Sequence, residues 1–468
     1  MGRAGDDERL VAAVRAGDAE EVERLLGAGA DPDTVAEDGL PVLCLAVAAY
    51  DAEVAEVLVE GRADPDRVLP DGTTPLSRAV DGGSPAVFYA VLERDPGTRL
   101  PKAQQERLLG LARSWYETGA EAELRRRTGD SGPAETVRIR DDESDTVDQV
   151  SLGGLTVRAG HGAILTTLER SFGVLTPTEV LMERALADPD PEHADRSAVL
   201  HPLGLRLDRE SWSAVLSARH PSERDRRLFA LQVLRYAGVL GLLGETRFER
   251  KEPAALLASW TADESDPKVL WEILDAYIGL GHPEEEAIGL RLAGHADPDI
   301  RASVPLALGG DEGASLGADA RRALFALTRD PHPNVRASTS EALSHWQQRF
   351  TEAGEPAEAA EFAEALLALA RDPDPGVRGG TAATFATGPD RSPAVADMLW
   401  RLLDEDEQLV RLEAAYGLAL RDDPRTEDAY ERVGRLPWEA HWLAEDHRLL
   451  ALHAYRSRHR DGLADAEL

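Results

Sequence analysis

Two groups of basic side chains could bind a ligand in this chain. Arg158 and His161 lie three residues apart at the end of a predicted strand, and Arg224 and Arg227 lie in a short arginine-rich run. The run could hold an anionic group, because arginine pairs well with carboxylates and phosphates. Arg158 and His161 could form the base of a presented recognition element. Each group also has a structural interpretation. Arg158 and His161 could lie at the base of a hairpin that covers the core, and the arginine-rich run could be a solvated helix face.

A third candidate is aromatic. Trp438 and Trp442 lie four residues apart, which is one turn of a helix. Tryptophans are enriched at the centres of protein interfaces, so an exposed pair would indicate a docking site. The alternative is that both belong to the core of a C-terminal cap, and both interpretations stay open at this point.

The rest of the chain offers little to a catalytic or metal site. None of the twelve histidines has another histidine three or four residues away, so no helix face carries a two-histidine metal site. Cys44 is the only cysteine, and its apolar neighbours favour a small buried residue over a nucleophile. No phosphate-binding loop, dinucleotide-binding glycine pattern or nucleophile elbow occurs. We therefore predict no cofactor and no metal, and we favour a protein that is not an enzyme.

The composition excludes several partners. Among 468 residues, 52 are Lys or Arg and 86 are Asp or Glu, which gives a formal net charge of −34. Such a charge disfavours nucleic acids and anionic membranes as partners, because both need positive contacts. The longest apolar run, residues 40–50, is too short to span a bilayer, and the N-terminus has no apolar signal core. We expect a cytoplasmic protein, and the scarcity of lysine resembles coding bias in a high-GC bacterium.

The elements that position these residues come in repeats. Over the first ninety residues, Leu10, Leu43 and Leu76 lie 33 residues apart, and the neighbouring alanine and valine positions follow the same step. The segment 71–79, Asp-Gly-Thr-Thr-Pro-Leu-Ser-Arg-Ala, resembles the opening of an ankyrin repeat, in which Ser77 replaces the usual histidine. The resemblance implies three repeats that end near Arg94, followed by helical caps near Lys102–Tyr116 and Ala120–Arg127.

A second sequence motif recurs from residue 297 onward. An Asp-Pro start precedes Arg301, Arg336 and Arg378, and an acidic stretch precedes Arg411. The segments resemble HEAT repeats of the short, phycobilin-lyase-like type. That resemblance implies that the four arginines form a ladder between neighbouring repeats. Weaker copies extend the predicted helical hairpins back to about residue 176.

The segment between the two arrays fits neither period. Residues 136–140 and 150–158 alternate apolar and polar side chains, as strands do, on either side of an acidic loop. We predict a β-hairpin followed by a helix over 163–170. Such a hairpin could be a plug that seals the junction or a presented recognition element. The acidic loop lacks the spacing of a calcium-binding loop.

These patterns predict an all-α solenoid of ankyrin repeats joined to a HEAT-repeat array, with a small β-hairpin insert at the junction. The predicted boundaries are 5–130, 131–173 and 174–468. Repeat arrays present extended binding surfaces. The prediction is a monomeric, non-catalytic scaffold that binds a protein or peptide. One alternative is a HEAT-type lyase or chaperone-like enzyme acting on a small ligand or modified peptide. A HEAT-like DNA glycosylase is disfavoured by the net charge.

Overall fold

The described residues are helical apart from one small sheet, and the protein divides into two compact units, Met1–Phe248 and Glu249–Leu468. The predicted boundaries after residues 130 and 173 both fall inside the first unit. The structure is a computed structural model, and it describes residues 3–92, 96–206, 217, 223–242, 251–278, 280, 282–309, 315–434 and 446–464.

Three helix pairs open the first unit and further helices extend it. The described helices are α1 (Arg3–Ala16), α2 (Ala19–Gly27), α3 (Val42–Ala49), α4 (Ala52–Glu60), α5 (Pro75–Gly82), α6 (Pro85–Leu92), α7 (Pro96–Arg99), α8 (Lys102–Thr118), α9 (Ala120–Thr128), α10 (His161–Ser171), α11 (Thr178–Ala185), α12 (Ala194–Arg206) and α13 (Arg224–Leu242). The first helices of the pairs, α1, α3 and α5, stack in one row that continues to α8. The second helices, α2, α4 and α6, stack in another row that continues to α10 and α12.

The 33-residue period arises because each pair buries the same positions. Leu10, Leu43 and Leu76 belong to one continuous core that runs through all three pairs. Thr74 and Ser77 close the start of α5 as a capping box: the Ser77 N–H donates to Thr74 Oγ1 at 3.1 Å, and the Thr74 N–H donates to Ser77 Oγ at 2.8 Å. Ser77 thus accepts a backbone hydrogen bond at the start of α5, at the position where the motif has histidine.

The exit from each second helix needs a residue with positive φ. Gly29 has a φ of 97° after α2, and Arg62 has a φ of 73° at the equivalent position after α4. Glycine adopts this conformation without strain, whereas an L side chain is disfavoured there.

The sheet has three antiparallel strands instead of the predicted two. They are β1 (Glu135–Arg140), β2 (Thr146–Leu152) and β3 (Leu155–Arg158), in the order β1-β2-β3. The predicted strand over 150–158 is interrupted because Gly153 and Gly154, with φ of 60° and 82°, form a tight turn that pairs Leu152 with Leu155. The helix predicted over 163–170 is α10.

The sheet packs against helices that precede it in the sequence and against helices that follow it. Val150 and Leu152 join a core cluster with Trp115 of α8 and Leu124 of α9. Val147 packs with side chains of α10 and α12. The insert is therefore part of the core of the first unit.

The second unit consists of successive helical hairpins. Its described helices are α14 (Lys251–Asp263), α15 (Pro267–Tyr277), α16 (Glu285–Leu292), α17 (Pro298–Ala307), α18 (Ala318–Leu327), α19 (Pro333–Ala353), α20 (Pro356–Leu369), α21 (Pro375–Thr387), α22 (Pro393–Leu402), α23 (Gln408–Leu420), α24 (Thr426–Val433) and α25 (His447–Ala464). Asp266, Asp297 and Asp374 cap α15, α17 and α21, each with proline at the first helical position.

Arginines of one hairpin bind an acidic residue in the turn of the next hairpin. Arg301 donates two hydrogen bonds to Asp330, at 2.7 and 2.8 Å. Arg336 binds Asp372 in the same bidentate way, at 2.8 and 2.7 Å, and Arg378 pairs with Glu405. Hydrogen bonds from the arginines lower the pKa of Asp330 and Asp372 below the ordinary 3.8.

Among the described residues, the last of the four arginines binds backbone carbonyls and not a carboxylate. Arg411 donates to the backbone carbonyls of Arg432 and Val433, at 3.0 and 3.4 Å. All four arginines also donate to carbonyls of their own hairpin, so each fixes its own turn as well as its neighbour.

Replacing Arg62 with glycine should raise the free energy of unfolding by about 1 kcal/mol, because the strain at positive φ disappears. Arg62→Ala keeps Cβ and should leave stability nearly unchanged. Urea unfolding of the intact chain measures both. An equal gain in both variants would show that the arginine side chain is unfavourable and that the backbone is unstrained.

The ladder predicts a contrast between two aspartates of the second unit. Asp372→Ala should lower the free energy of unfolding by about 2–3 kcal/mol, because the Asp372 and Arg336 side chains are only 9% and 13% exposed. Asp404→Ala, whose pair with Arg432 is 75% and 41% exposed, should cost under about 0.5 kcal/mol. Equal effects in chemical denaturation would contradict a structural role for the ladder.

Candidate functional site

The acidic loop between β1 and β2 caps a helix of the third pair. Asp141 accepts hydrogen bonds from Ser84 Oγ and from the Ala86 N–H, both at 2.8 Å, at the start of α6. Its side chain is 1% exposed. A carboxylate is favourable there because the first N–H groups of a helix have no intrahelical acceptor.

Arg158 neutralises that buried carboxylate. Its guanidinium donates to Asp141 Oδ1 at 2.7 Å and lies 4.5 Å from the centre of the Tyr50 ring. The Tyr50 hydroxyl lies 3.1 Å from the carbonyl oxygens of both Gly82 and Thr156 and can donate its proton to either. Burial raises the pKa of Tyr50 to about 12. Arg158 therefore ties the sheet to the second and third pairs from inside the fold.

His161 lies in the core beside this contact. It is 3% exposed, and its ring stacks on Trp115 at 4.8 Å between centroids. Trp115 Nε1 donates to Asp81 at 2.8 Å, and Arg127 binds the same carboxylate through two hydrogen bonds. Burial lowers the pKa of His161 to about 4, although the backbone carbonyls of Asp81 and Val80 favour its protonated form.

Glycines allow these segments to approach. Gly160 donates its N–H to the carbonyl of Gly83 at 3.0 Å, and a Cβ on Gly83 would lie 1.9 Å from the carbonyl oxygen of Arg158. Gly162 leaves room for Asp195, which accepts the Ala163 N–H at 2.6 Å. Burial raises the pKa of Asp195 to about 6. The glycines around His161 are thus required by close packing.

The sheet is also bound to α12 and to the turn before it. Ser197 donates to Asp145 at 2.6 Å, and the Thr146 N–H donates to the carbonyl of Glu192 at 2.8 Å. These contacts favour the structural interpretation of the insert, in which Arg158 and His161 hold the first unit together.

The other predicted candidates are not brought together with Arg158 and His161 by any described contact. Arg224 is exposed and Arg227 half-buried in the first turn of α13, and each interacts within the protein. Trp438 and Trp442 lie outside the described residues. Cys44 is buried, and burial raises the pKa of its thiol to about 11, which disfavours the reactive thiolate. Among the described side chains, no group of three or more His, Cys, Asp or Glu could hold a metal ion.

The turn tips of the first two pairs expose apolar side chains that the sequence reasoning missed. Val35 is 43% exposed and Val68 is 73% exposed. They lie 33 residues apart, so they occupy the same position in successive repeats, and this register was the available signal. Asp38 and Asp71 are also exposed and 33 residues apart, and Asp71 pairs with Arg78. The tips therefore present valine at the same position of successive repeats.

Depressions lie along the row of second helices. One of about 850 Å³ is bounded by α4, α6, α10 and α12, and one of about 340 Å³ lies between α2 and α4. Glu60 lines both of them. No described helix is both long enough and apolar enough to cross a bilayer.

Comparison with known proteins identifies the N-terminal part. Residues 10–100 match the family model for ankyrin repeats in three copies, so this part is an ankyrin array. No curated protein matches the chain.

Two solved structures align with low scores. An X-ray structure of Escherichia coli YibA has 13% identity over 55% of this chain and 92% of its own, with a TM-score of 0.37. The crystal structure of an engineered protein has 16% identity over 97% and 99%, with a TM-score of 0.26. Neither score supports an argument about function.

Asp141→Ala should lower the free energy of unfolding by about 3 kcal/mol, since it leaves Arg158 buried without its counter-charge and α6 without its cap. Glu143→Ala, an exposed acid of the same loop, is the control and should change little. Hydrogen exchange of the α6 amides reports the local effect. Unchanged protection of Ala86 and its neighbours would contradict the capping role.

His161 should make stability fall as pH decreases. Its pKa is about 4 in the fold and near the ordinary 6.5 when unfolded, so only the unfolded chain gains a proton between these values. The contribution of His161 to the free energy of unfolding should fall by up to about 1.4 kcal/mol per pH unit in this window, and Asp195, whose pKa is raised to about 6, opposes this fall below that pH. His161→Gln should flatten the profile, whereas the exposed His453→Gln should not. Identical profiles for all three proteins would exclude His161 as the cause.

Proposed function

We propose that this chain is a non-catalytic scaffold that binds a protein partner on the turn tips of its ankyrin repeats. The observation that carries the proposal is the repeated exposure of Val35 and Val68 at equivalent positions. Ankyrin repeats generally mediate contacts between proteins. Apolar side chains that are exposed at equivalent positions of successive repeats do not contribute to the core. They offer contact area to a partner protein.

Charge indicates the kind of partner. Residues 31–60 contain eight acidic residues and no lysine, arginine or histidine, and they include the whole second pair. An acidic surface favours encounter with a basic partner and repels nucleic acid. The proposed partner therefore presents apolar side chains within a basic surface.

The second unit belongs to the same proposal as a HEAT-type array. The bidentate pairs from Arg301 to Asp330 and from Arg336 to Asp372 support it, because they recur between successive hairpins. Such an array would supply a second protein-binding surface. We also propose that the protein is a cytoplasmic monomer from a bacterium, consistent with its acidic composition. Arg224, Arg227, Trp438 and Trp442 stay predicted contact residues.

The test changes the tips without changing the core. The doubly substituted Val35→Asp, Val68→Asp protein should lose at least tenfold in affinity, because two apolar contacts are replaced by carboxylates. The intact chain first captures its partner from lysate of a high-GC bacterium, and calorimetry with the purified partner then measures affinity. The control is Val137→Asp, Val180→Asp, which alters similarly exposed valines elsewhere in the first unit.

Equal affinity of the partner for the two double variants would exclude the tips as the binding surface. A captured partner that the chain converts chemically would exclude the non-catalytic scaffold.

A further inference from the structure

A groove crosses the second helices of the ankyrin repeats, away from the turn tips. Its two depressions, of about 340 and 850 Å³, share Glu60 as a lining residue. Glu23 lines the smaller depression and Glu56 lines the larger one, so each depression contains two carboxylates. The larger volume lies within the range of ordinary ligand sites.

The lining follows the repeat register. Glu23, Glu56 and Tyr89 lie 33 residues apart and occupy one column across α2, α4 and α6. A second column, Leu26, Val59 and Leu92, is apolar and lines the same depressions. The groove is therefore a periodic strip, with two acidic positions followed by an aromatic one.

The carboxylates of the strip are available. Within the part of the chain that the structure describes, the carboxylates of Glu23, Glu56 and Glu60 are exposed and make neither a hydrogen bond nor an ion pair. Glu21 on the same helix as Glu23, by contrast, pairs with Arg9 and Arg24. Three unpaired like charges at a concave surface attract a cation more strongly than isolated surface acids do.

The other end of the larger depression has the opposite charge. Arg170 of α10 lines it and lies 3.4 Å from His201 of α12, measured between the guanidinium and imidazole nitrogens. The Tyr89 hydroxyl lies 3.5 Å from Thr167 Oγ1 beside them. The groove thus runs from an acidic end on α2 and α4 to a basic end on α10 and α12.

The distance between neighbouring helices sets the spacing of cationic residues along a bound peptide. Packed helices lie roughly 8–10 Å apart. An extended peptide rises about 3.3 Å per residue, so three residues carry it from one helix to the next. A cation in each acidic depression would then recur at every third residue.

We propose that the groove binds an extended basic peptide with arginine or lysine side chains three residues apart. An apolar residue after them packs on Tyr89, and the C-terminal carboxylate reaches Arg170. The opposite charges at the two ends fix the direction of the peptide. The site differs from the turn tips, so each proposal can fail without the other.

Isothermal titration calorimetry at 150 mM salt with the intact chain tests the spacing. The probe is the N-acetylated peptide GRAARAALA with a free C-terminus, and the comparison peptide GRRAAAALA has the same composition and charge. We expect the first peptide to bind at least fivefold more tightly. Equal affinity, or no detectable binding of either peptide up to 1 mM, overturns the proposal.

Variants of the groove locate the site. Glu56→Arg should weaken binding of the spaced peptide about tenfold, and Glu23→Gln about threefold. Glu37→Gln removes an exposed acid of a turn tip and should leave the affinity unchanged. An equal loss in Glu37→Gln would show attraction by net charge alone and overturn the site.

The direction has its own test. Amidation of the C-terminus should weaken binding to the unsubstituted protein about threefold and have no effect on Arg170→Ala. The same amidation effect in both proteins would overturn the assignment of the basic end. Because the Val35, Val68 variant keeps the groove, it should bind the spaced peptide normally even if it loses the captured partner.

Discussion

No helix pair of this protein can bury its apolar side chains alone, and the remaining features depend on how neighbouring pairs are held together. Apolar contact supplies most of the free energy but little specificity of register. Register comes from polar contacts at the pair boundaries. In the second unit these are arginine–carboxylate pairs. In the first unit the Asp64 N–H donates to Asp33 of the preceding repeat at 2.9 Å, and Arg99 pairs with Asp66.

Polar contacts also join the sheet to the end of the ankyrin array. The third pair is covered by α8 and α10, and the insert packs its apolar face on these added helices and supplies a counter-charged cap to α6. Asp141 would be unfavourable in that position without Arg158, because a buried carboxylate needs both hydrogen bonds and a cation. Residues that looked suited to ligand binding are therefore occupied by the fold itself, and the accessible chemistry lies on the tips and in the groove.

Sequence reasoning recovered what is periodic. The three ankyrin pairs follow from spacing, since equivalent residues meet equivalent neighbours. It did not recover the turn at Gly153, because an alternating pattern continues through a two-residue turn. Nor could it place Asp141 on α6 or His161 against Trp115, because those partners lie 46 or more residues away in the chain and have no shared period. The exposed valines and the column of Glu23 and Glu56 follow the same 33-residue register as the core positions, so this register predicts surface positions as well.

The ladder has a consequence for how such a chain can evolve. The turn of a hairpin carries a carboxylate acceptor with an arginine donor shortly after it, as Asp330 and Arg336 do, so the boundaries bridged by Arg301, Arg336 and Arg378 use the same donor and acceptor types. Loss of the segment 330–371 would leave Arg301 facing Asp372, with a matching pair already in place. The intervals from Arg301 to Arg336 and from Arg336 to Arg378, 35 and 42 residues, differ although each of these arginines binds a carboxylate of the next hairpin. Repeat number and loop length can therefore drift by duplication or deletion of whole hairpins, while the residues that join them need no compensating change.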